Sequence, residues 1–396
     1  MKKIIEHTAV LAVVCSVFSQ MDGLAAAARP LMYGLWVAAL GMSLAERRGR
    51  LSLSPDCRVF IASYAVFAAY CLTAGFFDGA HLRANYLRVL LVPLLLTVFV
   101  EICPDSVIGQ EQRLAKAFVL PAGIFAVYVH VKYISAYSAW LAAKSYVYPQ
   151  KNSAAQIWSC AILLALFLIR PRGLGGKMMW YGISAYLLLV VALSQCRTAL
   201  LALGLGAAGV VLFRSKHKLR WCAALAAALA FLWLHPFTRR FLNQVLLLER
   251  YAGADLNTLS SGRLESCARA WEAFIRSPLL GVGKWYVDCS YLLILTESGL
   301  IGFVLIELVW VRRIRANIPA RSTGENAAGK QNFLVMITVF YLVESLLEGY
   351  PPFGPGVSAL GFWLFTGILA RQEGRLRRGG GAGRRPGTAA EAAASV

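Results

Sequence analysis

The sequence predicts an all-α, polytopic integral membrane protein with about twelve transmembrane helices. Of the 396 residues, 58% are hydrophobic, and the mean hydropathy is +0.60, whereas soluble domains are nearer half apolar. The apolar residues also arrive in blocks of about 20, the length that crosses about 30 Å of hydrocarbon as a helix. Because lipid offers no partners to backbone amides, these blocks are expected to be helices.

The first apolar block, MKKIIEHTAVLAVVCSVFS, resembles a signal peptide. No small-residue cleavage pattern follows it at once and further apolar blocks come after it, so we expect it to be retained as the first helix. The expected spans lie near 5–22, 30–45, 58–76, 85–103, 115–134, 155–170, 178–195, 198–213, 220–235, 289–310, 332–348 and 356–371.

The formal net charge of +20 predicts an orientation in the membrane. A soluble protein with this charge would suggest a nucleic-acid partner, but here the basic residues lie between apolar blocks, as the positive-inside rule describes. With MKK at the start, every cluster falls on one side, which places both termini in the cytoplasm. The clusters are ERRGR (46–50), EQRLAK (111–116), RPRGLGGK (170–177), FRSKHKLR (213–220), VRRIRANIPAR (311–321) and RQEGRLRR (371–378).

The span pattern divides the chain into four parts. Residues 1–235 are expected to form helices one to nine, 236–288 a long external loop, and 289–371 helices ten to twelve. Residues 372–396 form a tail whose low complexity predicts disorder. A second external loop is expected at about 135–154.

The 236–288 loop is longer than a plain connector needs to be. Its basic residues indicate either an anion site or a solvated surface helix near lipid headgroups. Within it, LESCARAWEAFIRS (264–277) predicts an amphipathic helix that Ser260 or Ser261 caps and Pro278 ends. Its apolar face is expected on the bundle or at the membrane interface. The basic residues are Arg239, Arg240, Arg250, Arg263, Arg269, Arg276 and Lys284.

Charged residues next to the outer ends of the spans are the candidates for chemistry. Arg197, between spans seven and eight, is either functional or a residue that snorkels to the headgroups. Asp288 lies where the long loop re-enters the membrane, and Glu297, about 13 Å deeper, is expected to line a cavity or brace an arginine. Glu344 and Glu348 form an i, i+4 carboxylate pair at an outer end. A site that mixes carboxylates and guanidinium groups at one membrane face suits an anionic, membrane-borne substrate. The alternative is a structural network of arginines and glutamates between helices.

Most of the 9 cysteines lie inside apolar runs, where packing explains them. The chain has no CxxC or other metal spacing, so no metal site is expected. Cys267 and Cys289 are both expected on the oxidising side, which leaves a disulfide between them open.

Three segments, taken in order, resemble the O-antigen ligase/polymerase family of bacterial envelope glycosyltransferases. They are SQCRTALLAL (194–203), SSGRLESCARAWEAFIRSPLLGVG (260–283) and VDCSYLLILTESGLIGF (287–303). The resemblance implies a GT-C-like fold whose long loop is periplasmic, in the bacterial inner membrane. It implies a glycosyltransferase that acts on glycans linked to undecaprenyl pyrophosphate and needs neither a metal nor another cofactor.

The resemblance assigns Arg197 and Arg263 to the pyrophosphate, and Lys284 can add positive charge beside them. An acceptor hydroxyl would attack the anomeric carbon while Asp288 takes its proton as the catalytic base. Ligases of the family usually carry a histidine followed by an asparagine where this chain has Asp288 and Cys289. An aspartate at this place looks more like the polymerases that join repeat units, so the preferred function is an envelope polysaccharide polymerase.

Two alternatives remain open from the sequence. The first is an O-antigen ligase that transfers the lipid-linked glycan to lipid A–core or to protein. The second is a lipid-linked oligosaccharide flippase or other transporter, for which twelve spans with carboxylates would be suitable. The absence of a convincing internal repeat and the long external loop favour an enzyme. The expected partners are the lipid-linked glycan, membrane lipids and, for a polymerase, a chain-length regulator, with no nucleic acid.

Overall fold

The computed structural model describes residues 1–49, 53–133, 150–215, 217–246, 248, 253–318, 325–354 and 356–382, and those residues contain no β-strand. The first eight helices are α1 (Lys2–Phe18), α2 (Ala25–Glu46), α3 (Pro55–Phe77), α4 (Asn85–Val89), α5 (Leu91–Ile102), α6 (Asp105–Ile108), α7 (Glu111–Lys132) and α8 (Lys151–Phe167). The remainder are α9 (Gly173–Leu193), α10 (Arg197–Arg214), α11 (Lys218–Leu234), α12 (Pro236–Val245), α13 (Leu256–Leu259), α14 (Arg263–Arg276), α15 (Ser290–Asn317), α16 (Glu325–Leu347) and α17 (Gly356–Ala382).

The prediction of an all-α polytopic membrane protein is confirmed. Each of the twelve expected spans overlaps a helix of the structure, with α4 and α5 together covering one of them. Within the described residues, seven helices are long and apolar enough to cross a membrane. Those seven are Pro55–Phe77, Asn85–Ile102, Glu111–Lys132, Gly173–Leu193, Arg197–Arg214, Ser290–Asn317 and Ala327–Leu347. The full count of about twelve spans therefore stays a prediction, for which α1, α2, α8, α11 and α17 supply the remaining helices.

Small residues line the contact between α10 and α16. The spacing of Ala202 and Gly206 predicts such an approach, and a Cβ added to Gly206 would lie 3.0 Å from the Met336 side chain. Gly204 and Ala208 have the same spacing but do not take part in this contact, because nothing lies within 4 Å of the position of a Cβ on Gly204. Helical periodicity explains the difference, since Gly206 and Gly204 lie on different faces of α10.

The bundle has two polar ends, which its ion pairs define. At one end Arg113 pairs with Glu6, Arg312 with Asp56, Lys330 with Glu111, and Arg371 with Asp105. Four of the basic clusters that the sequence places on one side thus contribute residues to this end, since the Arg47 guanidinium also bonds the Glu101 carbonyl oxygen. We call it the basic end. The opposite end carries the long loop.

Helix α15 is interrupted at Gly299, and the long loop forms hydrogen bonds with the backbone on both sides of the interruption. Gly299 has φ 59° and ψ −165°, far from helical values. The loop replaces the lost helical hydrogen bonds, because the Val282 N–H donates to the Thr296 carbonyl at 2.8 Å and the Leu300 N–H donates to the Pro278 carbonyl at 2.9 Å. A break inside an apolar segment is tolerated where protein backbone satisfies the freed groups in this way.

Two glycines make this approach of backbones feasible. A Cβ added to Gly281 would lie 2.5 Å from the Ser298 nitrogen, and one added to Gly299 would contact the Leu279 carbonyl. Gly281 also has φ 73°, in the left-handed region that favours glycine. A glycine inside an apolar span favours close contact with another helix, but at Gly299 the structure places the loop.

Three further expectations differ from the structure or lie outside it. Helix α17 continues to Ala382, so the first part of the tail predicted to be disordered from 372 is helical, and residues 383–396 lie outside the described residues. Most of the loop expected at 135–154 also lies outside them. Cys267 and Cys289 are both free thiols, with no disulfide between them.

Candidate active site

Arg263 lies at the centre of a polar cluster that joins the long loop to the ends of the spans. Its Nη2 lies 2.7 Å from Glu348 Oε1, and its Nε lies 3.4 Å from Asp288 Oδ2. Its Nη1 donates to Thr198 Oγ1 at 3.3 Å. Three of the five N–H donors of the guanidinium thus face protein oxygens, and the remaining capacity can bind another acceptor.

The loop sequence places Arg263 by forming a helix start just before it. Asp255 Oδ1 accepts the Thr258 N–H at 3.2 Å and begins the short helix α13. Gly262, with φ 79°, then reverses the chain so that Arg263 is the first residue of α14. The N-cap of α14 is Gly262, so the expectation that Ser260 or Ser261 caps the helix is wrong, although Ser260 Oγ does accept the Leu264 N–H at 3.3 Å.

The amphipathic character of α14 is confirmed, although its apolar face is divided between two surroundings. Phe274 is buried at 8% exposure, and Cys267 packs on the core. Leu264, Trp271 and Ile275 remain 50% exposed or more, at 52%, 50% and 58%. The bundle therefore covers one part of this face, and the other part is exposed.

Asp288 lies between a cation and a phenol. Besides the contact with Arg263, its Oδ1 accepts the Tyr286 hydroxyl at 2.7 Å. The Asp288 side chain is 29% exposed, so a substrate can reach it. Each carboxylate oxygen has two lone pairs, so both oxygens keep the capacity to accept a further proton or hydrogen bond.

Two carboxylates at the end of α16 extend the cluster toward α8. Glu348 Oε1 also accepts the Asn152 amide at 2.9 Å, and Glu344 Oε2, one turn deeper, accepts the Gln156 amide at 2.9 Å. Glu344 and Gln156 are buried, at 1% and 2% exposure. The i, i+4 pair predicted from the sequence therefore faces the bundle interior, with an amide partner from α8 for each carboxylate.

Arg197 and Lys151 add two more cations close to the cluster. Arg197 begins α10, after a tight turn in which Gln195 adopts φ 53°. The Arg197 Nη2 donates to Ser261 Oγ at 3.1 Å, two residues before Arg263. The Lys151 ammonium donates to the Gln195 carbonyl at 3.1 Å.

The charges perturb one another where the groups lie outside the spans. Burial by itself would lower the pKa of Arg263, but the carboxylates of Glu348 and Asp288 outweigh it and the pKa stands above its ordinary value. Burial lowers the pKa of Lys151 to about 8, and the positive charges of Arg197 and Arg263 also act to lower it. Burial raises the pKa of Tyr286, and the hydrogen bond to Asp288 raises it further, so the phenol remains a donor at neutral pH.

Two residues that the sequence singled out lie outside this cluster. The Lys284 side chain is exposed and forms no ion pair within the described part of the chain. Glu297 was expected to line a cavity or brace an arginine, but it forms no ion pair with an arginine of the described residues. Its buried carboxylate instead accepts the Asn85 amide at 2.7 Å and the backbone N–H groups of Asn85, Trp285 and Tyr86 at 3.0, 3.3 and 3.3 Å.

Four residues of the cluster were not predicted from the sequence: Asn152, Gln156, Thr198 and Lys151. Gln156 offered a signal, because an amide inside an apolar run requires a buried partner. Asn152, Thr198 and Lys151 stand next to helix starts, where capping or solvation explains such residues equally well. No group of three or more His, Cys, Asp or Glu side chains in the described ranges is placed to hold a metal ion.

Comparison with known proteins relates this arrangement to one family. The family model described as O-antigen ligase matches residues 182–288. The matched range contains Arg197 and Arg263 and ends at Asp288, so the third segment quoted above, 287–303, lies almost entirely beyond it. No curated protein matches the chain.

The match confirms the resemblance to the O-antigen ligase/polymerase family. Together with the apolar helices, it supports a multi-pass membrane enzyme of the glycosyltransferase kind that acts on envelope polysaccharide as ligase or polymerase.

Proposed function

We propose that the protein is an envelope polysaccharide polymerase that joins repeat units linked to undecaprenyl pyrophosphate at the periplasmic face of the inner membrane. The observation that carries the proposal is the position of Asp288, with its carboxylate 2.7 Å from the Tyr286 hydroxyl and 3.4 Å from Arg263. A partly exposed carboxylate held beside cations is what a transfer with an anionic leaving group needs.

In the proposed reaction, an acceptor hydroxyl attacks the anomeric carbon of the donor sugar. The new glycosidic bond forms as the bond between that carbon and the pyrophosphate oxygen breaks, so undecaprenyl pyrophosphate leaves with the electron pair. Asp288 takes the hydroxyl proton. Tyr286 and Arg263 orient the carboxylate, because each contacts a different one of its two oxygens.

The pyrophosphate would lie against the cations on the loop and on the helix starts. Arg197 and Arg263 are proposed to hold its oxygens, since guanidinium groups bind phosphate in a bidentate manner. Lys151 adds a nearby ammonium. Glu348 and Asp288 already balance part of the charge of Arg263, so Arg197 and Lys151 are expected to contribute more of the donor affinity. Lys284, exposed on the same loop, would assist only at longer range.

The orientation in the membrane belongs to this proposal. The basic end would lie in the cytoplasm, with both termini, and the cluster around Arg263 would face the periplasm. The position of the cluster at one end of the bundle supports an enzyme at the membrane face over a transporter, whose polar residues would lie nearer the midplane.

A ligase is the second candidate, and the description of the matched family as O-antigen ligase favours it. A gel of surface glycans from a strain that lacks the gene distinguishes the two. Single repeat units on the lipid A–core with no long ladder are expected for a polymerase. Loss of all attached glycan, with long polymer accumulating on undecaprenyl pyrophosphate, would establish the ligase. An unchanged ladder would refute both.

A further inference from the structure

A cavity of about 760 Å³ lies at the basic end, away from the cluster around Arg263. It opens between α3, α5, α15 and α17. Arginines outnumber the carboxylates in its wall. The arginines are Arg47, Arg58, Arg313, Arg315 and Arg371, and the carboxylates are Asp56, Glu101 and Glu373.

Several arginines of the wall form no ion pair with its carboxylates. Asp56 Oδ1 pairs at 3.0 Å with Arg312, which is not part of the wall. Within the described residues, Arg58, Arg313 and Arg315 form no ion pair with a carboxylate. Guanidinium groups gathered in one cavity repel each other, so a counter-anion between them lowers the energy of the folded state.

Arg313 is held in place without an ion pair among the described residues, although the more distant charges of Asp56 and Glu101 act on it. Its guanidinium carbon lies 4.9 Å from the centroid of the Trp363 ring, and its Nη2 reaches Thr97 Oγ1 at 3.5 Å. Stacking on the indole and one weak hydrogen bond leave most of its donors available. A fixed, half-buried guanidinium of this kind is suited to bind phosphate oxygens.

An apolar stripe on α15 leads from the middle of the span to the cavity. Val304, Leu308 and Val311 are 63%, 42% and 40% exposed, and Ile318, in the cavity wall, is 66% exposed. Their spacing continues through Arg315, so the stripe and this arginine share one face of the helix. A free phosphate ion would not contact such an apolar stripe, whereas an acyl chain would bury apolar surface against it.

We propose that this cavity binds the phosphate group of an anionic membrane lipid, with an acyl chain of that lipid along the stripe on α15. The cavity lies where α3 begins and α15 ends, which in the orientation proposed above is the depth of the cytoplasmic headgroups. Basic pockets between spans on the cytoplasmic side are suited to such lipids.

The test uses the full-length protein purified in a neutral detergent, with bound lipid counted by native mass spectrometry. Phosphatidylglycerol is the probe and phosphatidylcholine the zwitterionic control. Arg58→Gln and Arg315→Gln alter exposed wall residues, so both variants should fold. Each is expected to weaken phosphatidylglycerol binding about fivefold. Arg220→Gln, which removes an exposed arginine outside the wall, should leave the affinity unchanged.

Three outcomes would overturn the proposal. If Arg220→Gln weakens phosphatidylglycerol binding as much as the wall variants do, the lipid is bound by a general attraction to basic residues and not by this cavity. Unchanged lipid binding in both wall variants would exclude the cavity as the lipid-binding site. Displacement of the lipid by millimolar inorganic phosphate would make it a site for a soluble anion.

Discussion

The guanidinium of Arg263 contacts the carboxylate of Glu348 at 2.7 Å, and this contact ties the first residue of a loop helix to the end of a span. The two side chains are 24% and 10% exposed, so the pair is largely shielded from water. The contact fixes the start of α14 on the bundle. It thereby also fixes the Arg263 Nε that faces Asp288.

Breaking this pair should destabilise the protein. Arg263→Gln and Glu348→Gln are each expected to cost about 1–3 kcal/mol, because the remaining partner stays buried without its opposite charge. The double variant should recover part of the loss, with a coupling free energy of about 0.5–3 kcal/mol in thermal unfolding in detergent. The matched control is the exposed pair Arg269 and Glu265 at 3.7 Å, whose coupling should stay below about 0.5 kcal/mol. Equal couplings for the two pairs would contradict a stabilising contact.

Asp288 should be required for transfer and dispensable for folding. Asp288→Asn keeps an oxygen that can accept the Tyr286 hydroxyl, but it removes the base, so the transfer rate should fall about 10²–10⁴-fold. Asp288→Ala should abolish transfer while leaving membrane insertion intact. Turnover of a lipid-linked repeat unit by the purified protein measures both. The control is Asp255→Asn, which changes the N-cap residue of α13. A normal transfer rate in Asp288→Asn would show that Asp288 is not the catalytic base.

The seam between the long loop and the break in α15 should tolerate no side chain at Gly281. Gly281→Ala adds a Cβ 2.5 Å from the Ser298 nitrogen, while Gly253 has the same φ of 73° and nothing within 4 Å. Gly253→Ala should therefore cost only about 1–2 kcal/mol of backbone strain. Gly281→Ala should lower the unfolding midpoint further, because a backbone must move as well. Equal unfolding midpoints for the two variants would mean that the backbone next to Gly281 can move without loss of stability.

Glu297 should matter for stability through its backbone contacts. Glu297→Gln keeps one accepting oxygen, which can hold the contacts of Oε1 with Asn85 and Trp285, but the NH2 group in place of Oε2 cannot accept the Tyr86 N–H. A loss of about 1–3 kcal/mol is expected in unfolding experiments. Glu272→Gln, on the exposed face of α14, should have no measurable effect. A stable Glu297→Gln protein would show that the Tyr86 N–H finds another partner.

The sequence predicts the helices better than it predicts the contacts between them. Lipid requires long apolar helices, so hydropathy alone locates α3, α7 and α9 within a few residues. The resemblance to a family also selects Arg263 and Asp288, which the structure brings within 3.4 Å.

Contacts over long sequence distances carry no such local signal. Asn152 reaches Glu348 across 196 positions, and nothing in the residues around either one specifies the other. Glu297 suggested an arginine partner because a buried carboxylate needs a compensating group. Backbone amides meet that need as well, and a loop that folds against a broken helix supplies them. The break itself follows from tertiary contacts, since glycine only permits the φ of Gly299.

Donor binding should weaken above pH 8 through Lys151. Because the pKa of this lysine is lowered to about 8, its ammonium is charged below that pH and neutral above it. Loss of one charge-assisted contact should raise the KM for the lipid-linked donor about tenfold as the pH passes through this value. Lys151→Gln should show the raised KM at every pH, whereas Lys177→Gln, at the start of α9, should keep the wild-type profile. If Lys151→Gln keeps the rise in KM above pH 8, another group titrates and Lys151 does not bind the donor.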